Sequence, residues 1–195
     1  GNWLIYIGNK NLNNRWTWHS ELQYRNHNFI GDTEQLLVRT GLGYNLTEGN
    51  NNLLLGYGFI HSEPYIAGSD FKASINEHRI YQQFITRQSF GRVALQHRYR
   101  FEQRFVNEDV RLRARYFLGS TIALNNTGMA DKTLYLSLYN EVFLNLKENY
   151  FDRNRFYAGL GYKFNNRLRI EAGWMRQAVS NGAKDQLNFF AYVNL

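Results

Sequence analysis

Alternation of apolar and polar residues runs through nearly all of this 195-residue chain, and no segment sustains a 3.6-residue helical period. The clearest instance spans residues 92–106. Val93, Leu95, His97, Tyr99, Phe101 and Phe105 fall on one face; Gln96, Arg98, Arg100, Glu102 and Arg104 fall on the other. The next segment sets Val110, Leu112, Ala114, Tyr116 and Leu118 against Arg111, Arg113 and Arg115. Successive side chains of a strand point to opposite faces, so each segment has one aliphatic–aromatic face and one basic face.

Comparable alternation at 3–9, 16–25, 38–46, 53–61, 77–90, 133–146, 155–164, 167–176 and 187–195 brings the readable strands to eleven. Short connections rich in Asn and Gly fall at 11–14, 47–51, 90–92 and 165–166, as tight hairpins require. Longer ones fall at 26–34, 62–76, 147–153 and 179–186, while 107–109 and 125–132 break the short–long alternation. Bacterial membrane barrels carry an even number of strands, with short periplasmic turns and longer extracellular loops. Parity therefore asks for ten or twelve strands, with one strand split, missed or failing to span; residues 3–9 are the candidate for the last. No linker or low-complexity stretch divides the chain, so residues 1–195 are expected to form a single domain.

The competing fold is a soluble β-sandwich with the Arg face in water. Three features favour a barrel. The segments approach the ~9–11 residues of a tilted membrane strand and exceed the ~5–6 of soluble sheets. The polar face uses Arg, Gln, Gly, Tyr and Asn where a solvated face favours Lys, Glu and Thr. Trp3, Trp16, Trp18, Tyr24, Tyr44, Tyr57 and Trp174 lie towards strand ends, where an interfacial girdle is expected. Register follows from energy: one Arg facing lipid at mid-depth costs ~2–4 kcal/mol. Arg98, Arg100, Arg104, Arg111, Arg113 and Arg115 together would exceed a domain's whole stability, so the Arg face lines the interior.

Composition agrees. There is no Cys and only one Pro, Pro64, which leaves long ladders unbroken and excludes disulfides and Cys-based metal sites. Mean hydropathy is −0.54, and no run approaches the ~18 apolar residues of a membrane helix, which says nothing against a barrel. The net charge of +7 comes mostly from Arg placed within strands, so nucleic-acid binding is not expected. No charged-then-apolar leader opens the chain, and any signal peptide is expected to precede this numbering.

The stretch from His97 to Phe105 (HRYRFEQRF), the segment Asn140 to Phe143 (NEVF) and the stretch from Phe151 to Tyr162 (FDRNRFYAGLGY) resemble the domain of unknown function 2490 family of Bacteroidota. Trp3, the elements from Gly41 to Tyr44, and Gly56 with Tyr57 extend the resemblance over nearly the whole chain. It implies an outer-membrane barrel of a Gram-negative bacterium and carries over no catalytic or ligand residues. Leu195 stands where outer-membrane proteins usually end on Phe, although Phe189, Phe190 and Tyr192 keep the last segment aromatic.

The expected lumen-lining bases are Arg25, Arg39, Arg79, Arg87, Arg98, Arg100, Arg104, Arg111, Arg113, Arg115, Arg155, Lys163, Arg167 and Arg169. Against these fourteen stand Glu21, Glu77, Glu102, Glu141 and Glu171. Like charges on neighbouring strands repel, so carboxylates, water, anions or an acidic partner must intervene. Two states of the lumen fit equally: a filled interior of Arg–carboxylate ladders, or a narrow anion-selective channel. The expected function is passage or binding of small anionic solutes; the alternative is an accessory subunit of a larger outer-membrane complex. Catalysis is not expected. Of His19, His27, His61, His78 and His97 only His19 faces inward, and Ser20 beside it faces away. No cofactor or metal is expected, since Asp131, Asp152 and Asp185 read as turn residues. Expected partners are membrane lipid, small anions and other outer-membrane proteins.

Overall fold

The computed structural model describes residues 1–47, 49–147 and 149–195. Its strands, in chain order, are β1 (Asn2–Asn11), β2 (Trp16–Asn26), β3 (Thr33–Thr47), β4 (Asn51–Ser62), β5 (Ile75–Phe90) and β6 (Val93–Val106). There follow β7 (Asp109–Ala123), β8 (Thr133–Asn145), β9 (Phe151–Lys163), β10 (Leu168–Val179) and β11 (Gly182–Asn194). Each strand pairs antiparallel with its sequence neighbours, and β1 pairs with β11 to close a barrel. Closure leaves no sheet edge with unpaired N–H and C=O groups.

The barrel has the eleven strands readable from the sequence, not the ten or twelve that parity asked for. An odd number of alternating strands leaves the first and last running the same way. They pair in parallel from Asn2↔Leu187 to Asn9↔Asn194, so residues 3–9 are a full member of the wall.

Connections 27–32, 63–74, 107–108, 146–150 and 180–181 lie at the rim where β1 begins, here the first rim. Connections 12–15, 48–50, 91–92, 124–132 and 164–167 lie at the second rim. The expected division into short and long connections therefore holds only in part. The expected loop at 179–186 is a two-residue turn, because β10 runs on to Val179 and β11 starts at Gly182. Its polar Lys184 and Asp185 belong to β11. The expected connections 47–51 and 147–153 contain Glu48 and Glu148, which lie outside the described residues. Two tight turns use left-handed backbone, at Gly91 (φ 55°) and Asn107 (φ 53°), which Gly and Asn adopt with least strain.

Alternation orders the wall as read. Leu42, Leu53, Leu55, Tyr99, Leu134 and Leu160 stand exposed on the outer face. Polar groups on that face bond one another across strands. Asn140 and Asn154 exchange amide hydrogen bonds of 3.0 Å, Trp18 Nε1 donates to Thr40 Oγ1 at 2.8 Å, and His97 Nδ1 lies 2.9 Å from the Tyr116 hydroxyl. Trp16, Trp18, Tyr57 and Trp174 are exposed on this face, whereas Trp3 is not a girdle residue. It lies inside, 4% exposed, because its cross-strand neighbour is the inward-facing Arg25.

The interior is packed. Every strand contributes at least one buried inward side chain, running from Ile5, Gln23, Leu37, Ile60 and Tyr81 through Glu102, Arg113 and Phe143 to Tyr157, Met175 and Asn188. Glycines make room for the largest of these. A Cβ on Gly56 would overlap the Tyr81 ring and one on Gly161 the Tyr135 ring, so both rings lie flat against wall that lacks side chains.

Candidate functional site

The interior has two unlike halves. Behind β9, β10, β11 and β1 sits an apolar cluster of Trp3, Ile5, Tyr157, Met175 and Phe190, flanked by Ile7, Tyr139 and Tyr192. Opposite it, β5 to β8 carry a network of ions whose hub is Glu102, 0% exposed. Arg113 Nη2 and Arg115 Nη1 each donate to Glu102 at 2.6 Å; Arg79 and Arg100 stand 3.5 and 3.6 Å away.

A buried charge survives only when paired and hydrogen-bonded, and each arginine but one finds a second carboxylate. Arg79 and Arg104 share Glu77, Arg115 and Arg98 share Glu141, and Arg113 reaches Asp152 at 2.9 Å. Arg100 relies on Gln83 Oε1, which accepts from its Nε at 2.8 Å, and on the Tyr81 ring, 4.5 Å away. Arg39 pairs with Glu21 at 3.0 Å. Arg104 stands directly opposite Arg111, and Arg100 opposite Arg115. The like charges that sequence set face to face are therefore separated by carboxylates reaching in from neighbouring positions. Four guanidinium groups, from Arg113, Arg115, Arg153 and Arg155, lie within 5.9 Å of the Phe143 ring centroid. Such contacts contribute ~0.5–2 kcal/mol each, more when desolvated.

Asp152 joins this network although its sequence position reads as a turn. The β8–β9 ladder slips between Phe143 and Leu144, and Asp152 is the extra residue of that bulge. Bulges re-aim side chains, here bringing Asp152 to Arg113 and Arg153. Asp185 likewise lies in a strand, beside Arg176 on the outer wall. Asp131 keeps its place in a connection and stands 3.6 Å from Lys163 Nζ.

Three expected lumen bases lie at the mouths. Arg111 is exposed at the first rim and pairs with Asp109 at 3.0 Å; Arg87 is exposed near the second rim and donates to Gln96; Arg167 is exposed in connection 164–167. Arg169 is half-buried over the Tyr192 ring at 3.9 Å. Glu171 is 2% exposed and accepts from the Tyr135 hydroxyl at 3.2 Å. Among the described residues it has no cationic partner within 4.0 Å.

Two buried arginines are likewise without a carboxylate within 4.0 Å among the described residues. Arg25 donates to the side-chain oxygens of Gln23 and Gln35, and Arg155 donates through Nε to Gln177. Each is 8% exposed. His19 sits near Asn9 and 3.6 Å from Glu21, and the Ser20 hydroxyl turns outward to the Gly8 carbonyl. No nucleophile–base pair forms at this histidine, and no group of three metal-ligating side chains occurs among the described residues.

The family model described as protein of unknown function (DUF2490) matches residues 1–188. The chain belongs to DUF2490. Membership extends over all of β1 to β10 and into β11, so the ion network and the unpaired Arg25 and Arg155 lie within the family region. No curated protein and no solved structure matches the chain.

Proposed function

We propose that this DUF2490 protein is an integral outer-membrane β-barrel of a Gram-negative Bacteroidota bacterium, without enzymatic activity, whose basic interior binds small anionic solutes. Membrane insertion is supported by the inside-out distribution of side chains. Leucines and aromatics cover the exterior, outer polar groups satisfy one another across strands, and the buried charges are inside. The observation that carries anion binding is the surplus of buried guanidinium: Arg25 and Arg155 lie inside with no carboxylate within 4.0 Å among the described residues.

The packed waist favours a binder over an open pore, because all eleven strands send a buried side chain inward. Vesicle-reconstituted protein is expected to bind a small anion saturably and to give no steady conductance in planar bilayers. Absence of saturable binding overturns the proposal; a steady anion-selective current replaces the binder with a channel.

One outer feature favours a second role as an accessory subunit. A concavity of about 790 Å³ on the wall is lined mainly by outward side chains including Leu42, Leu53, Phe84, Phe101 and Leu144. A stoichiometric membrane partner, recovered with a barrel that binds no anion, would establish that role in place of the first.

A further inference from the structure

Near the first rim the interior gathers hydrogen-bonding groups that have no partners among the described residues. Trp3 lies between Arg25 on β2 and Asn188 on β11, its two cross-strand neighbours, and all three side chains point inward. Arg25 Cζ lies 3.6 Å from the Trp3 ring centroid. Arg155 reaches across from β9 to place its Cζ 4.8 Å from the same centroid. Its own cross-strand neighbour, Glu141, is held by Arg98 and Arg115.

The unused groups are of two kinds. On the donor side, among the described residues, Trp3 Nε1 is buried without an acceptor and the terminal nitrogens of Arg155 make no hydrogen bond. On the acceptor side, Asn188 Oδ1 and Gln186 Oε1 are buried without a donor among the described residues. Trp3, Asn188 and Gln186 are 4%, 0% and 3% exposed, so unmet groups here carry the full cost of desolvation.

We infer that Trp3, Arg25 and Arg155, with Asn188 and Gln186, form a binding site for hydrogen phosphate, a deepening that rests on the proposed anion-binding function. An oxyanion accepts from the Trp3 N–H and from the free edge of the Arg155 fork, the geometry in which Arg binds phosphate bidentately. Arg25, each of whose nitrogens already donates to Gln23 or Gln35, adds charge. A carboxylate would meet the donors but has no proton for Asn188 Oδ1 or Gln186 Oε1. The P–OH of hydrogen phosphate supplies one. That difference separates the two anion classes.

The test uses purified full-length barrel in phospholipid vesicles and isothermal titration with sodium phosphate, sodium acetate and sodium chloride at matched ionic strength. Phosphate is expected to bind saturably, with acetate at least ten-fold weaker and chloride weaker again. Arg155→Gln and Trp3→Phe are each expected to weaken phosphate at least ten-fold, with folding checked by heat-dependent electrophoretic mobility. Arg169→Gln, an arginine on the Tyr192 ring elsewhere in the lumen, is expected to bind as the parent does. If Arg155→Gln disturbs the fold, Trp3→Phe, which keeps an aromatic ring at this position while removing the indole N–H, decides alone. Acetate binding as tightly as phosphate overturns the assignment of phosphate. Phosphate binding unchanged in folded Trp3→Phe and Arg155→Gln, or lost instead in Arg169→Gln, overturns the site while the anion-binding lumen stands. No binding of any of the three anions overturns both.

Discussion

Glu102→Gln keeps the shape of the hub side chain and removes its charge. Five groups feel the change: the carboxyl itself, Arg113 and Arg115 in direct contact, and Arg79 and Arg100 just beyond hydrogen-bond distance. Breaking a buried ion pair from one side costs ~3–5 kcal/mol because a charge is left without compensation. Here the lower end applies. Arg79 retains Glu77, Arg113 retains Asp152 and Arg115 retains Glu141, whereas Arg100 loses its only carboxylate among the described residues.

With roughly 3 kcal/mol lost and a urea dependence of ~2 kcal/mol per M, the unfolding midpoint should fall by about 1.5 M. Urea unfolding in lipid vesicles, followed by Trp fluorescence, measures this. The double variant Glu102→Gln/Arg100→Gln sharpens the test, since it also removes the one guanidinium left stranded. It should be more stable than Glu102→Gln alone. A midpoint shift under about 0.3 M in the single variant, or no recovery in the double, would refute the placement of Glu102 at the centre of the network.

Leu42→Arg, on the outer face of β3, should cost ~2–4 kcal/mol in bilayer-embedded protein; a neutral result would show that this face meets water. Gly56→Val drives methyl groups into the Tyr81 ring and should destabilise by ~1–3 kcal/mol, and Gly56→Val/Tyr81→Leu should recover part of that. The two loops at the first rim are clasped where Asp32 accepts from Lys72 and from the Tyr65 hydroxyl. The Lys72 ammonium holds the Asp32 carboxyl below its usual range, and the hydrogen bond to Asp32 raises both Lys72 and Tyr65. The carboxyl therefore contributes above its unfolded pKa and fails as pH falls through its lowered folded value; Lys72 and Tyr65 contribute below their unfolded values and fail as pH rises through their raised ones. A spin label at Ser69→Cys should report a loop that stays ordered from about pH 4 to about pH 10 and becomes mobile only as Asp32 takes up a proton below that range or Lys72 and Tyr65 lose theirs above it. Equal mobility throughout, or no effect of Lys72→Gln, counts against the clasp.

The parts legible in the sequence are those that a period of two decides locally. Arg98, Arg100 and Glu102 had to share a face with one another and oppose Tyr99 and Phe101, whatever the rest of the chain did. Closure is different, because the pairing of β1 with β11 joins residues at the two ends of the chain and has no local signature. Trp3 was misplaced for a related reason: both faces of β1 are rich in apolar residues, Trp3, Ile5 and Ile7 against Leu4 and Tyr6. The orientation of that strand is set only by its register on β2, where Arg25 and Glu21 face inward. Asp152 shows the limit of alternation itself, since one inserted residue turns a side chain to the other side of the wall. The orphaned donors around Trp3 are further from reach, because they depend on which carboxylates Arg98 and Arg115 have already engaged.

The apolar half of the lumen lies behind the seam for a physical reason. Parallel ladders are slightly weaker per residue than antiparallel ones, and the β1–β11 ladder has eight residue pairs where β5–β6 has fourteen. A seam of that kind needs side-chain packing across it. Ile5 stands beside Phe190 and Ile7 beside Tyr192, with Tyr157 packed edge-on to Phe190 at 5.5 Å. Charges placed there would instead demand partners from a distant wall. The densest ion network accordingly lies on the long antiparallel ladders of β5 to β8, and Arg25 and Arg155, with no carboxylate within 4.0 Å among the described residues, meet at the boundary, on Trp3, the seam's own inward aromatic. An anion bound there would join the charged half of the barrel to the strand that closes it.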